Sequence, residues 1–177
     1  FTTVLTDLVE SHSDVIPILA KGFKECIRYL NKDVATKFLD EMIQARIGIR
    51  IIAEHHLNIA LATPENPNNF GIVTKNLSPK NLITTISYYV QQVCDYHYGI
   101  SPEFEITGHT DTKIAYIEVH LEYIFMELMK NAMRATVEYS NKIGRIEQPP
   151  IEIAICKNEN EITIRIRDNG GGISAKD

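Results

Sequence analysis

An α+β fold, helices first and then a sheet covered by helices, is what the hydrophobic spacing of this chain predicts. Three observations carry that expectation. The first sixty residues repeat apolar side chains at helical spacing. A run of breakers, Pro64-Glu65-Asn66-Pro67-Asn68-Asn69, then interrupts the pattern. Near the end, isoleucines alternate with other residues along two successive segments, which is the period of half-buried strands.

The chain is helical in character from its first residues. From Asp14 to Leu30, Val15, Ile16, Leu19, Phe23, Cys26, Ile27 and Leu30 form one stripe. Pro17 falls in the first turn, where a missing amide proton costs nothing. A longer helix is expected from Asp33 to about Leu61, with Phe38, Met42, Ala45, Ile49, Ile52 and His56 along one side. Helices of this length need partners, so residues 1–63 read as part of a four-helix-type bundle. Residues 64–177 form the second expected domain. There Ser78-Pro79 signals a helix start, and Leu82, Ile83, Ile86, Val90, Val93 and Cys94 run toward Tyr98-Gly99. Phe104 to Thr107 reads as a short strand and His120 to about Tyr139 as a helix. Ile151, Ile153 and Ile155, then Ile162, Ile164 and Ile166 across a turn near Asn158 to Asn160, read as an antiparallel hairpin. The second domain is thus an α/β sandwich with helices on one side of its sheet.

Composition excludes several classes. The 177 residues are 44% hydrophobic and 23% charged, which is ordinary for a globular chain rather than a disordered one. A net charge of -5 argues against general nucleic-acid binding or attachment to an anionic membrane. No apolar run approaches the roughly 20 residues that span a bilayer. Cys26, Cys94 and Cys156 are odd in number and widely spaced, and read as reduced core thiols of an intracellular protein. The chain starts at Phe1 and stops soon after a glycine run, so both edges read as cut; any targeting peptide would lie upstream.

Two segments carry chemistry. On the helix after Leu121, the apolar stripe Leu121, Ile124, Phe125, Leu128, Ala132, Ala135 leaves Glu127, Asn131 and Arg134 grouped on another face, flanked by Lys130. A solvated helix face is also polar, but this grouping combines a carboxylate, an amide and a guanidinium. An amide oxygen suits Mg²⁺, which takes one or two protein ligands beside substrate phosphates. A carboxylate one turn earlier can activate a nucleophile, and a guanidinium can fork onto phosphate oxygens. At the strand end, Asp168 has the parity of Ile162, Ile164 and Ile166, which aims its carboxylate at the buried face. There it needs a donor, and the exocyclic amine of adenine is a suitable one. Gly170, Gly171 and Gly172 permit close backbone approach or positive φ; a plain tight turn would use them too.

The run Glu127-Leu128-Met129-Lys130-Asn131-Ala132-Met133-Arg134-Ala135 resembles the N box of the Bergerat-fold (GHKL) ATPases, and Asp168-Asn169-Gly170-Gly171-Gly172-Ile173 resembles their first glycine box. Lys130-Asn131-Ala132-Met133-Arg134-Ala135 is similar specifically to the mitochondrial 2-oxo-acid dehydrogenase kinases. So are Phe38-Leu39-Asp40, Ala45-Arg46-Ile47-Gly48-Ile49-Arg50 and Leu77-Ser78-Pro79-Lys80. The resemblance implies a protein-serine kinase of the mitochondrial matrix that uses ATP and Mg²⁺. Its substrate would be the E1α subunit of the pyruvate or branched-chain complex, its other partner the lipoyl-bearing E2 core, and its state a homodimer. His55-His56-Leu57, Gly108-His109 and Tyr123, where pyruvate-specific members carry histidine, lean toward the branched-chain branch. By motif, Glu127 is the general base and Asn131 the magnesium ligand. Lys130 and Arg134 are phosphate-side groups, Asp168 binds the adenine amine, and Ala135, Gly170 and Gly172 shape the nucleotide pocket. The lid and a second glycine box are expected after Asp177.

Arg46 and Arg50, four residues apart, stack on one helix face between Ile47, Ile49 and Ile51. They read either as surface arginines or as a carboxylate clamp, and the resemblance implies an allosteric keto-acid site there. The competing readings are a histidine-kinase-like or other GHKL ATPase, suggested by His12, His55 and His56, and a catalytically inert interaction module. No histidine here is followed by the acidic residue and later proline of a phospho-acceptor box, and adjacent His55 and His56 suit capping or packing rather than metal binding.

Overall fold

The computed structural model describes residues 1–62 and 68–173 and divides the chain into two compact units, Phe1–Val73 and Thr74–Asp177. The boundary expected between residues 63 and 64 lies outside the described residues. The fold is α+β, with an N-terminal helical region followed by a mixed sheet.

The first unit holds α1 (Thr2–Ser11), α2 (Val15–Cys26), α3 (Lys32–Ala60) and the two-residue β1 (Asn69–Phe70). Asn31 caps α3 by accepting the amide protons of Asp33 and Val34 through Oδ1. That satisfies donors which no preceding turn serves. The inner face of α3 differs from the sequence expectation. Ala53 and Leu57 are its buried residues, Ala35, Leu39, Met42, Arg46, Ile51, Glu54 and His55 are partly buried, and Phe38, Ile49 and Ile52 stand exposed. Leu39, Arg46, Ala53 and Leu57 each follow an expected position by one residue, a step of about 100° around the helix. Hydrophobicity is spread around much of this helix, so periodicity alone does not select the face. Phe38 instead packs against Phe23 of α2. His55 sits under the turn at Gly71, where its Nδ1 accepts the amide proton of Ile72.

In the second unit, β2 (Val73–Leu77) pairs antiparallel with β4 (Ile114–Tyr116). Both strands escape a reading of the sequence because neither shows a clean alternation. The helix α4 (Pro79–Tyr98) starts and ends on the expected signals: the Ser78 hydroxyl accepts the Asn81 amide proton, and Gly99 closes the helix at φ 71°. β3 (Phe104–Gly108) runs parallel to β5 (Ile151–Lys157), and β6 (Ile162–Arg167) runs antiparallel to β5. Ile153 faces Ile166 and Ile155 faces Ile164 in the hairpin register. Its turn is set by Asn158, whose Oδ1 accepts the amide protons of Asn160 and Glu161.

The helix α5 (Glu118–Lys142) and α4 cover one face of the β3–β5–β6 sheet. Their core joins Ile83, Val90, Met129, Met133 and Val137 to Ile151, Ile153 and Ile155. Burial of a side chain this size contributes about 1.5–3 kcal/mol, so this layer holds the second unit together. The buried side of α5 is Phe125, Met129, Ala132, Met133, Thr136, Val137 and Ser140, whereas Ile124 and Leu128 of the expected stripe are exposed. The helix is therefore turned by roughly 90° from the expectation. Two methionines and two hydroxyls supply a face that a count of Leu and Ile does not find. Of the cysteines, Cys94 is a buried thiol as expected, but Cys26 and Cys156 are exposed.

Candidate functional site

α5 and the end of β6 meet at a cavity of about 240 Å³. Its lining is Leu128, Asn131, Ala132 and Ala135 from the helix, with Ile166, Asp168, Gly170, Gly172 and Ile173 from the strand end. Five sequence-predicted residues thus share one wall: Asn131, Ala135, Asp168, Gly170 and Gly172. The rotation of α5 explains how. Turning Met129 and Met133 into the core swings Asn131 and Leu128 to the rim beside β6.

Asp168 is exposed to this cavity rather than buried under the sheet as parity suggested. Its Oδ1 accepts the Gly170 amide proton at 2.8 Å, so the turn supplies one donor itself and leaves the second oxygen to the cavity. The glycines act differently from one another. A Cβ on Gly170 would lie 2.4 Å from the Ala135 Cβ, so only glycine lets the turn touch the helix there. A Cβ on Gly171 would lie 2.6 Å from the Tyr139 ring. Gly170→Ala is therefore expected to destabilise the second unit by about 1–3 kcal/mol through overpacking, and to weaken any ligand of the cavity. Thermal denaturation beside ligand titration checks this.

The charged residues of α5 part company with Asn131. Lys130 and Arg134 line a second cavity of about 460 Å³ between α4 and α5, with Val90, Val93, Cys94, His97, Tyr98 and Met133. Glu127 lines neither cavity; its Oε1 accepts from Lys130 Nζ at 2.5 Å, which raises the lysine pKa above its ordinary value. Arg134 Nε donates to Glu138 at 2.8 Å and Tyr98 donates to the same oxygen at 3.1 Å. The Arg134 guanidinium holds the Glu138 carboxyl below the usual range, and burial and the neighbouring Glu138 raise the Tyr98 phenol. Glu138 and Tyr98 are contributors that sequence reasoning missed. A Glu four residues after an Arg was the available signal for the first. Nothing local signals the second, because Tyr98 arrives from α4.

The family model of the mitochondrial branched-chain alpha-ketoacid dehydrogenase kinase matches residues 1–74. Along 98% of its length the chain is 30% identical to the mitochondrial pyruvate dehydrogenase (acetyl-transferring) kinase of Arabidopsis thaliana, covering 48% of that protein. It is 30% identical to isozyme 1 of the mouse pyruvate dehydrogenase kinase, over 98% of this chain and 42% of the relative. For the Schizosaccharomyces pombe kinase the identity is 29%, over 99% of this chain and 42% of the relative. The chain is similar to the mitochondrial dehydrogenase kinases along nearly all of its length. It spans less than half the length of these relatives.

The helical unit carries a third cavity, about 430 Å³, between α1, the start of α2 and α3. Both Arg46 and Arg50 line it. Their apolar surroundings are not the flanking isoleucines expected from the sequence. Ile47 and Ile49 are exposed, and only Ile49 touches the cavity; Leu5, Leu8, Val9 and Val15 supply the walls. Arg46 donates to the His12 carbonyl oxygen, and Arg50 donates to Glu54 at 2.7 Å. His12 lines the same cavity and holds its Nδ1 2.7 Å from the Leu8 carbonyl oxygen. Among the described residues no helix is long and apolar enough to cross a membrane.

Proposed function

We propose that this protein is a mitochondrial matrix protein-serine kinase that uses ATP with Mg²⁺ to phosphorylate, and so inactivate, the E1α subunit of a 2-oxo-acid dehydrogenase complex. The observation that carries the reading is the shared cavity of Asn131 and Asp168, the two oxygen-bearing side chains on a wall of alanine, glycine and aliphatic groups. An adenine ring fits such a wall, with its amine donating to the Asp168 oxygen that Gly170 leaves open. Asn131 presents one neutral oxygen at the rim. That suits Mg²⁺, a hard cation that keeps most of its shell for phosphates and water. When bound, the ion would neutralise charge on the transferring phosphoryl group.

Glu127, one turn before Asn131, is the general base that takes the serine proton. Lys130 holds its carboxylate in place, and Lys130 and Arg134 are the phosphate-side cations of this reading. Residues 1–63 form the regulatory helical domain and residues 64–177 the nucleotide-binding one. On this reading the partners are the E1α subunit, the lipoyl-bearing E2 core and a second copy of the protein. The branched-chain family model favours the branched-chain E1α, while the relatives act on the pyruvate complex. Phosphorylation of the two E1α subunits side by side by the complete protein tests the proposal. Transfer to neither removes it, and the preferred one identifies the substrate.

The cavity in the helical unit is the keto-acid regulatory site. Its apolar walls suit an aliphatic chain and its two guanidiniums a carboxylate. A bound carboxylate competes with Glu54 for Arg50 and with the His12 carbonyl for Arg46. Arg46→Ala or Arg50→Ala is expected to abolish inhibition by a branched-chain keto acid while ATP affinity stays near wild type. A coupling of this kind is typically worth about 1–3 kcal/mol, which is about 5–150-fold in inhibitor potency. Dose-response curves on the wild type and both variants decide.

A further inference from the structure

Thr136 is wholly enclosed, at 0% exposure, on the side of α5 that faces the core. Threonine is a poor choice for that position on hydrophobic grounds, because a hydroxyl out of water needs a partner. Its Oγ1 accepts the backbone amide proton of Asn169 at 3.3 Å. That amide lies between Asp168, which lines the cavity, and Gly170, which lies against Ala135. Ala135, Thr136 and Tyr139 therefore make a three-point seat on α5. The alanine methyl meets Gly170, the hydroxyl holds Asn169, and the tyrosine ring meets Gly171. Two of these contacts are steric and set how near the turn comes. Only the hydroxyl is directional, so only it fixes the rotation of the backbone about Asp168.

We propose that Thr136 is a positioning residue that aims the Asp168 carboxylate into the α5–β6 cavity by holding the Asn169 amide. The inference rests on the nucleotide reading of that cavity. It adds that recognition depends on a hydrogen bond which touches no ligand.

The complete protein and its Thr136→Val variant, which keeps the shape and removes the acceptor, are compared by Mg-ADP titration calorimetry and residue-resolved amide exchange. Valine is expected to weaken Mg-ADP about two- to tenfold and to speed Asn169 exchange by a similar factor, the range for losing one neutral hydrogen bond. Amides of Ile153 and Ile164 in the β5–β6 ladder should exchange as in the wild type. Thr136→Ser restores both values. Where valine prevents folding, Thr136→Ala against Thr136→Ser isolates the same hydroxyl. Equal Asn169 exchange and equal Mg-ADP affinity with and without the hydroxyl overturn the proposal. So does a serine variant that behaves like valine. A wild type that does not bind Mg-ADP at all removes the nucleotide reading instead, and the exchange comparison still decides whether Thr136 holds the turn.

Discussion

Glu127→Gln is expected to lower phosphoryl transfer about 10²–10⁴-fold, the usual contribution of a general base, while Mg-nucleotide affinity stays close to wild type. The separation follows from where the side chain lies. Glu127 is half-buried and lines neither cavity of its domain, so no nucleotide contact is lost with its charge. Glutamine keeps the size and can still accept from Lys130, but it cannot take a proton from the attacking serine. Lys130 loses the anionic partner that raises its pKa, so that pKa moves back toward its ordinary value and the lysine stays protonated at neutral pH. Catalysis of phosphoryl transfer is mostly positioning and charge stabilisation, so a residual rate should remain measurable. Single-turnover transfer to E1α, beside a Mg-ADP titration, reads both quantities. Turnover equal to wild type would take Glu127 out of the mechanism.

Asn131→Ala is expected to abolish the part of nucleotide affinity that depends on Mg²⁺. Along the cavity wall the only other oxygen-bearing side chain is Asp168, and one of its oxygens is already occupied by the Gly170 amide. No described neighbour on that wall replaces the lost amide oxygen. The fold should not suffer, because Asn131 is exposed on a helix and alanine is the better helix former by several tenths of a kcal/mol, roughly 0.5. A melting temperature at or above wild type is thus expected together with the binding defect. ATP titrations with Mg²⁺ and with a chelator distinguish the cases. Retention of the magnesium-dependent gain would show that the ion is held elsewhere.

The main helices and the strands β3, β5 and β6 were legible in the sequence because they rest on local signals. Ser78-Pro79 and Gly99 bracket α4 through capping and left-handed backbone, requirements that a few neighbouring atoms impose. Ile151 to Ile155 and Ile162 to Ile166 announce a hairpin because alternation and the Asn158 turn are properties of consecutive residues. The partnership of Asn131 with Asp168 and the glycines was legible through the motif resemblance. What the sequence left open is rotation. Both α3 and α5 carry apolar residues around more than half of their circumference, so several faces compete, and the one buried is whichever fits its neighbours at close packing. In α5 that choice buries Met129, Met133 and Thr136, sets Asn131 beside Asp168, and leaves Arg134 with Glu138 and Tyr98. In α3 it brings Arg46 against the carbonyl of His12 and builds a cavity whose walls come from α1. The sequence by itself determined the main helices and the strands β3, β5 and β6, and it offered the candidate site residues. Which of them face one another was decided only in the tertiary structure, because a helix face is selected by the partners packed against it and not by its own spacing.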